Sequence, residues 1–145
     1  MYKELFTLVS DRLEKEVPQL HWIDAEMGQL SSRGGTRPPV AFPCALVEIS
    51  YTSCDTLSGG KQRITAEIQL RIGFNIPGPT NSNVPDKYRD MALSYMDVLD
   101  RVHQAMQWWD GGRMFNPMRR IRAIPEKGSA GFKTWLITYS TSFLE

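Results

Sequence analysis

Two histidines, His21 and His103, are the only imidazoles in the chain. Acid–base or metal chemistry needs such groups to converge with carboxylates or thiols. His21 is close in sequence to Asp24 and Glu26. On a strand, however, residues 21 and 24 face opposite sides and would not chelate one metal together. His103 falls in a helical stretch beside Val102. The simpler reading of each is a structural or solvated histidine, and a dyad made of both stays open because sequence does not carry their distance in space. Cys44 and Cys54 stand ten residues apart, with no CxxC pair or nearby histidine to make a metal site. They read as reduced thiols, a disulfide being the alternative. Ser58-Gly59-Gly60-Lys61 partly matches a phosphate-binding loop, but Lys61 is followed by Gln62 and a strand pattern where such a loop requires Ser or Thr and a helix. A hairpin turn accounts for these glycines. No catalytic, cofactor-binding or metal-ligating residue is therefore assigned, and neither enzyme activity nor a cofactor is expected. A small hydrolase or metal enzyme centred on His21, Asp24 or His103 is the third-ranked functional reading.

Two features point to binding instead. Arg113, Arg119, Arg120, Arg122, Lys127 and Lys133 form a basic run interrupted by one acid, Glu126. Arg120 and Arg122 are expected to share one strand face. The run reads as a solvated face or a surface for an acidic partner, with contact to nucleic-acid phosphates as the rival. Trp108-Trp109 follows a helical stretch, and one indole can finish its apolar stripe while the other points about 100° away. Either both pack under the loop that follows, or one anchors another subunit.

The elements that must position these residues follow from periodicity. Tyr2, Phe6, Val9 and Leu13, widened by Leu5 and Leu8, predict a helix that ends at Pro18. A short strand around Leu20–Asp24 and a turn at Gly28-Gln29-Leu30 come next. Ser31–Pro39 reads as a flexible loop, Pro43–Tyr51 as a strand, and Ser53–Lys61 as a turn. From Arg63 to Phe74 the alternation is strict. Ile64, Ala66, Ile68, Leu70, Ile72 and Phe74 lie on one face, and Arg63, Thr65, Glu67, Gln69 and Arg71 on the other, with Gly73 a blank. Ile76–Pro85 is a second flexible loop. One helix is expected from about Asp86 to Trp108, with the stripe Ala92, Tyr95, Met96, Leu99, Val102 and Met106, stopped by Asp110-Gly111-Gly112. Strands at Met118–Ile124 and Phe132–Phe143 close the chain around a turn at 126–131. The expectation is one α+β domain over 1–145. It has a mostly antiparallel sheet of four to five strands and two helices packed on one face.

Composition sets bounds. The chain has 145 residues, 17 Lys+Arg against 16 Asp+Glu, and 41% apolar residues. A chain this long buries roughly 70% of its unfolded surface, enough for a core without disulfides or metal. The near-zero net charge excludes a surface given over wholly to nucleic acid. No run of about 18 apolar residues exists to cross a membrane, and the charged start of the chain, Met1–Phe6, argues against a secretory signal.

Several pieces then combine. They are the N-terminal helix, Trp22-Ile23-Asp24 with Gly28-Gln29-Leu30, and the proline-flanked strand Pro43-Cys44-Ala45-Leu46-Val47-Glu48-Ile49 leading to the alternating strand. The helix from Ala92 to Trp109 and the ending Trp135-Leu136-Ile137-Thr138-Tyr139 complete the order. The arrangement resembles the small tail-terminator and tail-completion (head–tail joining) proteins of tailed bacteriophages and prophages. The resemblance implies a structural role without a catalytic site: a ring, usually of six copies, that ends the tail tube or joins tail to head. It implies contact with tail-tube or head-connector proteins, assembly in the bacterial cytoplasm and residence in the virion, with DNA passing through a channel and no membrane contact. On that reading the mixed-charge face of Arg63, Glu67, Gln69 and Arg71, with Trp109, meets a neighbouring copy by self-complementary pairing. Arg119, Arg120 and Arg122 are candidates for phosphate or channel contacts. The alternative is a small nucleic-acid-binding module using the same Arg119–Arg122 strand.

Overall fold

The computed structural model describes residues 1–31, 38–127 and 131–145. Most of the loop expected at 31–39 and the middle of the turn expected at 126–131 lie outside them. The order is α1 (Tyr2–Glu16), β1 (Trp22–Ala25), β2 (Cys44–Thr56), β3 (Gln62–Phe74), α2 (Asp86–Leu93), α3 (Tyr95–Met106), β4 (Arg119–Glu126) and β5 (Lys133–Leu144). The five strands form one sheet in the order β1-β2-β3-β5-β4. All pairings are antiparallel except β1 with β2. This is the α+β architecture expected, and the parallel strand is what periodicity could not reveal.

The alternation in β3 determines the rest. Ile64, Ala66, Ile68, Leu70, Ile72 and Phe74 are all buried. In register with them on the same side stand Val47 and Ile49 of β2 and Ile137, Tyr139 and Phe143 of β5. Helix α1 lays Leu5, Val9 and Leu13 on this layer, a four-residue spacing that keeps one helical face inward. Tyr2 of the predicted stripe is instead exposed and stacks on Tyr51 at 4.1 Å.

The second helical region is two helices rather than one. The Ser94 hydroxyl donates to the Met91 carbonyl at 2.8 Å, a bond that competes with the helical ladder, and α2 ends there. The break rotates the apolar stripe. Val98, Val102, Ala105 and Met106 of α3 are buried, whereas Met96 is exposed. Arg12 joins the helices: its Nε donates to the Ala105 carbonyl at 2.9 Å, and its guanidinium lies over Trp109 at 5.5 Å.

A second, smaller apolar cluster sits on the other face of the sheet. Leu30, Val40, Cys44 and Leu46 are buried there, with Phe42 and Phe132 against them. It explains the blank at Gly73, where a Cβ would come within 2.9 Å of the Cys44 sulfur. Elsewhere no helix of the described residues covers this face, and it remains open.

Candidate interaction surface: the open face and edges of the sheet

The open face is assembled by register. Arg63 of β3 stands between Asp55 of β2 and Leu144 of β5, Glu67 between Ser50 and Ser140, Gln69 between Glu48 and Thr138, and Arg71 between Leu46 and Leu136. Of the interface residues proposed from sequence, Arg63 is exposed at one end, and Glu67 and Gln69 are half-buried. Arg71 is already occupied. It makes a bidentate pair with Glu126 of β4, Nε to Oε1 at 2.8 Å and Nη2 to Oε2 at 3.0 Å, and its third nitrogen pairs with Glu26. The guanidinium bonds hold Glu126 below its ordinary carboxylate range. Arg71 therefore clamps β3 to β4 and to the end of β1.

The basic strand needs a correction. Arg120 and Arg122 do not share a face. A bulge between them shifts the register, so that Arg119 pairs with Ser140 and Arg122 with Thr138, both on the open face, while Arg120 pairs with Tyr139 on the helix side. Bulges leave no signature in residue type, which is why simple alternation failed here. Arg122 reaches Glu67 at 4.0 Å but remains half exposed.

The tryptophans separate. Trp109 is half-buried, edge-on to Phe115 at 5.3 Å and under Arg12. Trp108 is the exposed one. Its φ of +62° is a costly conformation for a large side chain, and the Trp108 N–H donates to the Met118 carbonyl at 2.8 Å. The indole lines a polar cleft of about 400 Å³ with Thr65, Asn116, Arg119, Ser140 and Ser142. The helix ends at Met106 rather than at Trp108, so neither indole finishes its apolar stripe from within the helix.

The remaining candidates are separately engaged. His21 Nδ1 lies 2.9 Å from the Phe42 carbonyl, and His103 Nδ1 lies 3.1 Å from the Tyr139 hydroxyl. Burial and then the nearby Arg120 charge lower the His103 pKa, while burial raises that of Tyr139. Asp24 accepts the Ala25 N–H at 2.8 Å. No three His, Cys, Asp or Glu side chains come together as a metal site among the described residues. Cys44 and Cys54 are free thiols near opposite ends of β2, about 30 Å apart, beyond any disulfide. Burial pushes the Cys44 thiol up to about 11. Ser58–Gly60 is a short turn joining β2 to β3, with positive φ at Gly59 and Gly60.

The edges of the sheet were not anticipated. β1 pairs only with Cys44–Val47, so from Glu48 to Thr56 no described strand lies against the outer side of β2. At the opposite end no described strand pairs with the outer side of β4, which is exposed from Arg119 to Pro125. The charges differ in sign. β2 carries Glu48 and Asp55, both exposed, and no cation, whereas β4 carries Arg119, Arg120 and Arg122, and its one acid is held by Arg71. Side chains cap both ends in part: on β4 the Arg120 N–H donates to Gln107 Oε1 at 2.9 Å, and β1 is capped by its own chain. The Ala25 N–H goes to Asp24, the Ala25 carbonyl accepts from Gln29 Nε2 at 2.9 Å, and Gln29 Oε1 accepts the Met27 N–H at 2.8 Å. No helix of the described residues is long and apolar enough to cross a membrane. No family model matches this chain, and a search of the curated proteins finds no match either.

Proposed function

We propose that this chain is a structural protein of a phage or prophage tail, a ring-forming subunit that terminates the tail tube or joins tail to head. The observation that carries the reading is the division of the sheet. One face is filled by α1 and α3, and the other, apart from the small cluster around Leu30 and Cys44, is polar and runs between an acidic edge and a basic edge. Unlike edges at opposite ends of one subunit suit a head-to-tail contact, and head-to-tail contacts close into rings when the rotation permits. The similarity of element order to tail-terminator and tail-completion proteins points the same way. On this reading the subunit acts in the bacterial cytoplasm during assembly and then in the virion, against tail-tube or head-connector proteins, with DNA passing through the ring. Light scattering with negative-stain microscopy of the purified chain over a wide concentration range is the test. Rings are expected, and a strict monomer at the highest concentration overturns the reading.

A second reading rests on the cleft where Trp108 and Arg119 meet. An exposed indole beside a guanidinium is the pairing that stacks a base and holds its phosphate. If single-stranded DNA binds there, affinity falls steeply with salt. Arg119→Ala with Arg122→Ala then lowers the log–log slope by about 1.4, about 0.7 for each phosphate no longer neutralised. Absence of binding at low salt removes this reading.

A further inference from the structure

We infer that copies of this chain join by strand addition, the outer edge of β4 in one copy lying along the free half of β2, Glu48–Thr56, in the next. The inference rests on the ring reading above and names the contact that would build it.

Four observations lead to it. First, the sheet order puts the two free edges at opposite ends, separated by β3 and β5, so each copy offers one of each kind. Second, their lengths match. β4 has eight residues, and the free part of β2, residues 48–56, is of almost the same length, each about 26–30 Å. Third, no described strand lies opposite either edge, and free main-chain N–H and C=O groups there are templates for a further strand; on β4 the Arg120 N–H is held by Gln107 Oε1 at 2.9 Å and Pro125 has no N–H, so those two positions donate nothing to a neighbour. Fourth, the signs of charge choose the partner. Two β4 edges placed together would set Arg119, Arg120 and Arg122 against the same arginines, and two β2 edges would oppose their acids. Only β4 against β2 brings opposite charges together. The side-chain caps on β1 leave β2 as the better acceptor at that end. Ile121 and Ile124, each nearly half exposed on β4, add apolar area to the contact.

Two charge-reversed variants test this: Arg119→Glu with Arg122→Glu, and Glu48→Arg with Asp55→Arg. All four side chains are solvent-exposed, and circular dichroism checks that both variants keep the native fold. Each variant alone is expected to lose self-association by at least about tenfold, because like charges then meet across the contact. Mixed in equal amounts, the two are expected to reassemble, since every junction in an alternating ring again pairs opposite signs. Disulfide trapping gives a second readout. Cys54 lies on the β2 edge and is exposed, so with Ile121→Cys or Ile124→Cys on β4, mild oxidation should give a ladder of multimers beyond the dimer. Wild-type protein that associates while both charge variants do so equally well overturns the inference and leaves the ring reading standing. Variants that fail alone and also fail when mixed overturn it too. A wild-type chain that never associates overturns the ring reading and this contact together.

Discussion

Replacing Ile68 by alanine is expected to lower stability by about 2–5 kcal/mol, read as a fall in the urea midpoint with little change in slope. Ile68 is fully buried at the middle of β3, the central strand. Ile49 lies beside it on β2 and Tyr139 on β5, all three beneath the helices. Truncation loses the transfer free energy of three carbons and leaves a cavity that two flanking strands cannot close, because both are fixed by their ladders. Against a typical total of about 5–15 kcal/mol, that is a large share. Gln69→Ala, one residue along but on the open face, is expected to change stability by no more than about 0.5 kcal/mol. Equal effects at 68 and 69 would contradict the two-faced description of this strand.

Arg71→Met is expected to cost about 1–3 kcal/mol at neutral pH. That is below the 3–5 of a wholly buried pair because the three side chains keep partial contact with water. Methionine retains the apolar stem but leaves Glu26 and Glu126 without a cation. One oxygen of Glu26 is buried and has no hydrogen-bond partner among the described residues. The cost should depend on pH. Hydrogen bonding from Arg71, reinforced by its charge and by Thr134, sets the folded pKa of Glu126 below the ordinary 4.5, against the opposing effect of burial. Stability from a depressed carboxylate is fully present above the unfolded pKa and is lost as pH falls through the folded one. The gap between wild type and variant should therefore be widest near pH 7 and narrow as pH drops below about 4.5, where protonation removes the unpaired negative charge of Glu126 from the variant. Urea titrations of both proteins from pH 3 to 8 measure it. A gap independent of pH would mean that Arg71 acts through packing alone. Either result bears on assembly, since an Arg71 committed within its own subunit is not available to a neighbour.

Twelve residues around β3 made most of the fold legible. A strict period of two has one structural meaning, a strand with a dry and a wet side, and it placed every buried residue of β3 correctly except Gly73, which is buried beneath the second apolar cluster. The N-terminal helix, the glycine turn at 58–60 and the closing pair of strands were readable for the same reason, being local patterns with local causes. The resting place of the candidate side chains was another matter. The break at Ser94, the early end of α3 and the bulge in β4 are each a shift of one or two residues, invisible to periodicity. Yet they exposed Met96 and Trp108 and separated Arg120 from Arg122. Arg71 looked free because Glu26 and Glu126 are remote in the chain, and only strand order brings those carboxylates to it. The free edges came from strand order as well. Composition records how many acids and arginines there are, but which strands end the sheet, and so whether unlike charges lie at its two ends, depends on long-range pairing that no local pattern encodes.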